Sequence, residues 1–203
     1  MKRRIVIGIT GASGAAYALR VIRLLVQADV QVHLTASPLG RRLFADELAI
    51  KKLQPAALLE GIPADPEALV IHNDNDLGAS IASGSFLHDG MIIVPCSSNT
   101  LGSIAAGITQ TLVQRAAMVS LKERRPLVVA HRESPLTRID LANMQRLADA
   151  GAIIAPLSPG FYMLPTSLDD IVDFMAGELL DLVGVHHDLD IRWKSADETP
   201  ADS

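Results

Sequence analysis

Short apolar runs rich in β-branched residues recur along the chain at Ile5 to Ile9, Val30 to Thr35, Met91 to Val94, Leu127 to Ala130 and Ala152 to Ala155. Between them, apolar residues recur at helical spacing, as Leu19, Ile22 and Leu25 show. This patterning predicts helices over residues 15–28, 38–50, 99–122 with a break near Gly107, 138–150 and 168–184. Strands alternating with helices argue for a parallel sheet. The strand runs are continuously apolar, so both faces of each strand must be covered, as helices on either side would do. The expected fold is therefore α/β, a three-layer sandwich with a mostly parallel, Rossmann-like sheet. Residues 51–68, with Pro55, Pro63 and Pro66, read as an irregular connection, and residues 186–203 as a polar C-terminal tail.

Composition narrows the function classes. A chain of 203 residues, 49% hydrophobic and 20% charged, lies within the range of one globular domain. A formal charge of −5 with no long basic stretch argues against nucleic acid as a partner. The single cysteine, Cys96, excludes an intrachain disulfide framework and a cysteine-rich zinc site. That usage suits a reducing compartment and predicts a cytoplasmic address. The start, MKRRIVIGITGASGAAYAL, imitates a secretory signal, but Gly8, Thr10, Gly11, Ser13 and Gly14 interrupt it. A strand, a glycine turn and a helix account for all of those positions. No uninterrupted apolar run reaches the roughly 18 residues of a membrane span, so no membrane partner is expected. The histidines lack metal-ligand spacing, apart from the adjacent pair His186 and His187 in the tail, and no metal is expected.

Two turns carry the candidate chemistry. Thr10-Gly11-Ala12-Ser13-Gly14-Ala15 follows the first strand and opens a helix, where backbone N–H groups and the helix dipole favour a phosphate or a ring carbonyl. The glycines at 8, 11 and 14 do not make G-x-G-x-x-G, and the G-K-[ST] of a P-loop is absent. The second strand ends in Thr35-Ala36-Ser37, with no carboxylate to hold the ribose of NAD, so a mononucleotide such as FMN suits this edge better. Pro95-Cys96-Ser97-Ser98-Asn99-Thr100 again joins a strand end to a helix start, so both turns line one crevice beyond the carboxyl ends of the strands. Each turn also has a plainer reading. Glycines serve close packing, and Ser or Asn before a helix is commonly its N-cap.

These residues belong to longer motifs: TGASGA at 10–15, ASGS at 82–85, PCSSNTL at 95–101, RAAMVSLKERRPLVV at 115–129, HRESPL at 131–136 and PGFYMLP at 159–165. Together they resemble the UbiX or Pad-type flavin prenyltransferases nearly end to end. The resemblance implies a single flavoprotein domain over residues 1–185. It implies metal-independent transfer of a dimethylallyl group from dimethylallyl monophosphate to N5 of reduced FMN, with ring closure at C6 and prenylated FMN as product. It also implies a homo-oligomer, typically a dodecamer, and a UbiD-type decarboxylase as recipient of the product. Carried over by motif, Gly11, Ala12, Ser13, Ser37, Ser97, Ser98, Asn99, Thr100 and Arg132 hold FMN, and Tyr162 touches the prenyl phosphate. Arg115, Lys122 and Glu133 complete the phosphate pocket.

The residue types suit that chemistry. A monophosphate leaving without Mg²⁺ needs cationic side chains for its developing charge, which Arg115, Lys122 and Arg132 supply. Glu133 could carry a proton to the phosphate, and Glu47 with Ser13 could relay the protons lost from the flavin. The plainer readings are a solvated helix end for Lys122-Glu123-Arg124-Arg125 and aromatic packing for Tyr162. Trp193 could cap a pocket or meet a neighbouring subunit. Two residues depart from the family pattern. Glu178 stands where an arginine or lysine is expected at the prenyl phosphate, a reversal of charge that is costly beside a desolvated dianion. Met118 stands where aspartate is usual. These departures keep a non-catalytic flavin binder or carrier open. The other alternative is an FMN-dependent decarboxylase of the cysteine-decarboxylase type, although its P-x-M-N-x-x-M-W clamp is absent from the sequence.

Overall fold

A computed structural model describes residues 2–189. Trp193 and the tail from residue 190 onward lie outside the described residues. The elements follow in the order β1 (Arg4–Ile9), α1 (Ala15–Gln27), β2 (Gln31–Ala36), α2 (Pro38–Leu48), the single turn α3 (Pro55–Leu58), β3 (Leu69–Asn73) and β4 (Gly90–Cys96). Then come α4 (Ser98–Ala105), α5 (Leu112–Lys122), β5 (Leu127–His131), α6 (Arg138–Asp149), β6 (Ile153–Ile154) and α7 (Leu168–Leu182). The strands form one sheet of order β3-β2-β1-β4-β5-β6, and every pairing in it is parallel.

The continuous apolar runs split between two cores because successive side chains point to opposite faces. Ile5, Ile7 and Ile9 of β1, Ile92 and Val94 of β4, and Val128 and Ala130 of β5 pack with α1, α7 and Phe44 of α2. Val6, Met91, Ile93, Leu127 and Val129 face the other way, against α4, α5 and α6. This is the expected three-layer sandwich.

Two local expectations change. The edge strand β3 was not among the five apolar runs. Its sequence LVIHN buries only Leu69 well and ends in His72 and Asn73, so it lacks the signature of an inner strand. The helix expected over 99–122 is two helices. Gly107, at φ 73°, breaks the helix just past the Ala106 C-cap of α4, and the reciprocal Thr111–Gln114 capping box starts α5.

The direction of two helices matters for the site. Val113, early in α5, lies under Gly8 near the end of β1, whereas the Ser120 hydroxyl lies beside Met91 at the start of β4. Thus α5 runs back along the sheet. So does α7, since the carbonyls of its C-cap Val183 and of the following Gly184 accept from the Arg3 guanidinium just before β1. Both helices end at the amino edge, a strand length of roughly 20 Å from the carboxyl edge.

Candidate active site

The two hydroxyl-rich turns meet on the carboxyl edge through Thr10. Its hydroxyl donates to the Pro95 carbonyl at 2.9 Å and accepts from the Ser97 amide at 2.8 Å. Ser37 joins them, its amide donating to the Ile9 carbonyl at 2.9 Å. Arg132 joins from β5, its amide donating to the Cys96 carbonyl at 3.2 Å. Gly11, Ala12 and Ser13, Ser37, Ser97 to Thr100 and Arg132 therefore gather on one edge. Capping accounts for part of this chemistry. Ser37 accepts from Gly40 N at 3.1 Å, and Ser97 accepts from Thr100 N at 3.3 Å. Cys96 is buried and its thiol is pushed up to about 12 by desolvation, so it is no nucleophile.

At the start of α1, where the sequence suggests a phosphate or a ring carbonyl, the amides of Gly14 and Ala15 are already answered within the chain. The Glu47 carboxylate, reaching from α2, accepts from Ala15 N at 2.8 Å and Gly14 N at 3.1 Å. The chain's own anion thus occupies the helix end that the dipole favours. The same contacts bring Glu47 beside Ser13. The edge does hold one unanswered cationic donor, because Arg132 Nε is buried with no partner among the described residues. Leaving such a group unpaired costs about 1–3 kcal/mol or more, and a phosphate answers a guanidinium well. On that observation the edge fits FMN, with Ser37, Ser97 and Thr100 adding hydroxyls. Glu133 lies on the rim, its carboxylate 4.0 Å from Arg132 Nη1.

The PGFYMLP loop follows β6 over the same edge. Leu157 N donates to the His131 carbonyl at 2.9 Å, and the Leu157 side chain reaches the glycine turn near Gly14. Tyr162 is partly exposed and meets Phe174 edge to face, with ring centroids 5.5 Å apart.

Other residues singled out from the sequence lie elsewhere in the same chain. Arg115 donates from Nε to the Ala82 carbonyl at 3.3 Å. Lys122 pairs with Glu123 beside Gly84, and Arg125 donates to the carbonyls of Gly84 at 2.7 Å and Phe86 at 2.6 Å. These cations surround the ASGS segment, with Lys122 at the amino edge. Met118 is half-buried on the same helix. Glu178 lies in the last turns of α7, also toward the amino edge, its carboxyl raised by burial and by Asp181. Lys122 and Glu178 thus do not reach the carboxyl-edge turns of their own chain.

Sequence reasoning passed over two residues that contact the site. His131, the last residue of β5, places Nε2 3.1 Å from Ser98 Oγ. Asp140, in the first turn of α6, accepts from Thr137 N at 2.9 Å and Thr137 Oγ1 at 2.6 Å, and lines the same cleft as Ser98. These bonds hold the Asp140 carboxyl at about 2. The Thr-x-x-Asp spacing signals the capping box, whereas the approach of β5, α4 and α6 has no local signal. Among the described residues no cluster of three or more His, Cys, Asp or Glu could hold a metal ion. No described helix is long and apolar enough to cross a membrane.

Residues 1–180 match the flavoprotein family. The flavin prenyltransferase UbiX of Thermoplasma acidophilum is 49% identical over 94% of this chain and 99% of its own. The chain belongs to the flavin prenyltransferase family. Solved members of similar fold include AnUbiX (PadA1) in complex with FMN and dimethylallyl pyrophosphate, at TM-score 0.82 and 38% identity, covering 96% of this chain and 99% of that one. A dodecameric FMN-dependent UbiX-like decarboxylase from Escherichia coli O157:H7 superposes with TM-score 0.85 at 39% identity over 95% and 99%. By contrast, the FMN-dependent cysteine decarboxylase TvaF shares 15% identity at TM-score 0.59 over 76% and 90%, a likeness of fold alone.

Proposed function

We propose that this protein is a flavin prenyltransferase that moves a dimethylallyl group from dimethylallyl monophosphate to reduced FMN and releases prenylated FMN. The observation that carries the reading is the buried Arg132 Nε, without a partner among the described residues, on the edge where Ser37, Ser97 and Thr100 also gather, in a chain of this family. Bound reduced FMN supplies the nucleophilic ring atom that accepts the prenyl carbon. Arg132 and the hydroxyls hold its phosphate, while Gly11, Ala12 and Ser13 give the backbone room for the ring. Asn99 and Ser98 line the crevice beside it. As the C–O bond of the donor breaks, cationic side chains stabilise the charge gathering on the leaving phosphate. Glu133 holds a proton for that phosphate, Tyr162 orients it, and Glu47 with Ser13 accepts protons from the acceptor side.

Lys122 lies a strand length from the carboxyl edge of its own chain. We therefore assign Lys122 and Arg115 to the site of a neighbouring subunit, in a closed homo-oligomer such as a dodecamer. Glu178 is assigned to the same junction. The protein works in the cytoplasm, and a UbiD-type decarboxylase receives its product. Mass spectrometry of the flavin released after incubation with reduced FMN and dimethylallyl mono- or pyrophosphate tests the reading. Gain of one prenyl unit is expected. Unaltered FMN with either donor would leave a flavin carrier in its place.

A further inference from the structure

The ASGS segment leads into a tight turn. Phe86 N donates to the Ser83 carbonyl at 3.2 Å, closing a β-turn with Gly84 and Ser85 at its centre. Its serines do little to anchor it, since both are exposed and their hydroxyls bond each other at 2.8 Å. The anchors come from elsewhere in the chain. The Phe86 ring meets His33 edge to face, with centroids 4.7 Å apart, and Arg115 Nε donates to the Ala82 carbonyl just before the turn. Arg125 holds the turn at two points, donating from Nη2 to the Gly84 carbonyl at 2.7 Å and from Nη1 to the Phe86 carbonyl at 2.6 Å. A carbonyl at the centre of a turn has no donor within it, and the planar guanidinium fork supplies one.

The end of α5 is shaped to aim this arginine. Arg124 takes the left-handed conformation, at φ 55°, which is disfavoured for a residue with a side chain. Its amide donates to the Leu121 carbonyl at 3.1 Å and the Arg125 amide to the Ser120 carbonyl at 2.8 Å, the paired bonds of a Schellman motif. The Arg125 backbone is thus tied to α5 while its side chain is tied to the turn. Between the two lies the Lys122–Glu123 pair, whose charged ends rest where a side chain on Gly84 would stand. A displaced turn would therefore take away the surface on which the Lys122 ammonium lies.

We propose that Arg125 is a positioning residue for prenyl transfer, locking the turn at 83–86 to the end of α5 and so fixing the Lys122 ammonium for the site of the neighbouring subunit. The guanidinium itself is engaged with two carbonyls and is no ligand of the prenyl phosphate. This role rests on the assignment of Lys122 above. The hold on the turn does not.

Hydrogen exchange of the assembled, ligand-free protein tests the hold. Arg125→Ala should speed exchange of the amides at 83–87 about 10-fold or more, as loss of a charged donor predicts, and leave residues 10–15 and 97–100 unchanged. Equal exchange at 83–87 in the two proteins overturns the proposal. Prenyl transfer tests the role. Arg125→Ala should keep wild-type FMN affinity and lower kcat/KM for dimethylallyl monophosphate about 10-fold or more, because a misplaced group costs at least that much. Arg125→Lys, which can answer one carbonyl, should fall between. Reassembled with Glu133→Gln subunits, Arg125→Ala should recover activity, since its crevice is then completed by a partner with an intact turn. Reassembled with Lys122→Ala subunits, it should not. The reverse pattern would place the effect in the chain's own crevice and overturn the positioning role, as would weakened FMN binding. If Arg125→Ala does not assemble, Arg125→Lys carries the same tests. If Lys122→Ala and Glu133→Gln subunits do not restore each other, the shared-site reading fails, while hydrogen exchange still judges the hold of Arg125.

Discussion

Gly40→Ala sets two effects of opposite sign against each other. Gly40 is the third residue of α2 and does not have a positive φ, so an alanine there is conformationally allowed. Helix propensity alone would make the variant more stable by about 1 kcal/mol. The added Cβ would lie 2.6 Å from the Ile9 carbonyl oxygen and 2.9 Å from its carbon, where ordinary contact begins at 3.4 Å. Neither atom ends a flexible side chain. Ile9, itself fully buried, closes β1, and its oxygen accepts from Ser37 N. The start of α2 must therefore move outward by several tenths of an ångström. Overpacking of this kind costs about 1–3 kcal/mol and sometimes more, so the clash outweighs the propensity. A net loss of about 1–2 kcal/mol lowers Tm by roughly 2–8 °C for a chain of this size. Because Ser37 and Glu47 ride on α2, FMN affinity falls as well. Thermal unfolding paired with FMN titration measures both. A higher Tm with unchanged affinity would refute the close-approach argument.

Glu47→Ala should cost about 1–2 kcal/mol in urea unfolding, with Glu47→Gln losing less, because the carboxylate answers two amides at the start of α1. Burial, aided by His72, Arg4 and His88, pushes the His33 imidazole down from 6.5 to about 4. The unfolded chain binds that proton first, so stability should be full above pH 6.5 and fall toward pH 4, by at most about 1.4 kcal/mol per pH unit for one proton. His33→Leu should flatten that dependence in urea unfolding at pH 7 and pH 5, and an equally steep fall in the variant would exclude His33 as its source. Lys122→Ala and Glu133→Gln should each bind FMN yet slow prenyl transfer about 10²-fold or more in a single-turnover absorbance assay. Oligomers reassembled from both variants should recover part of the activity, and no recovery would speak against a site shared between subunits. Glu178→Arg should lower KM for dimethylallyl monophosphate, since a repelling carboxylate becomes a donor to a dianion, and an unimproved KM would remove Glu178 from the pocket.

The layers, and the edge on which the two hydroxyl-rich turns meet, are legible in the amino-acid pattern. Strand runs such as Ile5 to Ile9 are apolar at both alternating sets of positions, and that demands a sheet covered on both faces. Turns such as TGASGA and PCSSNTL fall where strands end, so their place on the carboxyl edge follows from the parallel order. The edge strand β3 escaped because its half-buried residues carry His72 and Asn73 rather than a continuous apolar run. Which of these groups already have partners within the chain depends on the fold. The Glu47 carboxylate fills the start of α1 from 32 residues away. Arg132 Nε is buried without an acceptor among the described residues, and His131 closes on Ser98 from a different element. The fold also separated Lys122 from the carboxyl-edge turns, because α5 runs back along the sheet and carries its last turn to the opposite edge. Hydrogen-bond partners and helix directions of this kind depend on contacts between residues far apart in the chain, and local pattern carries no record of them.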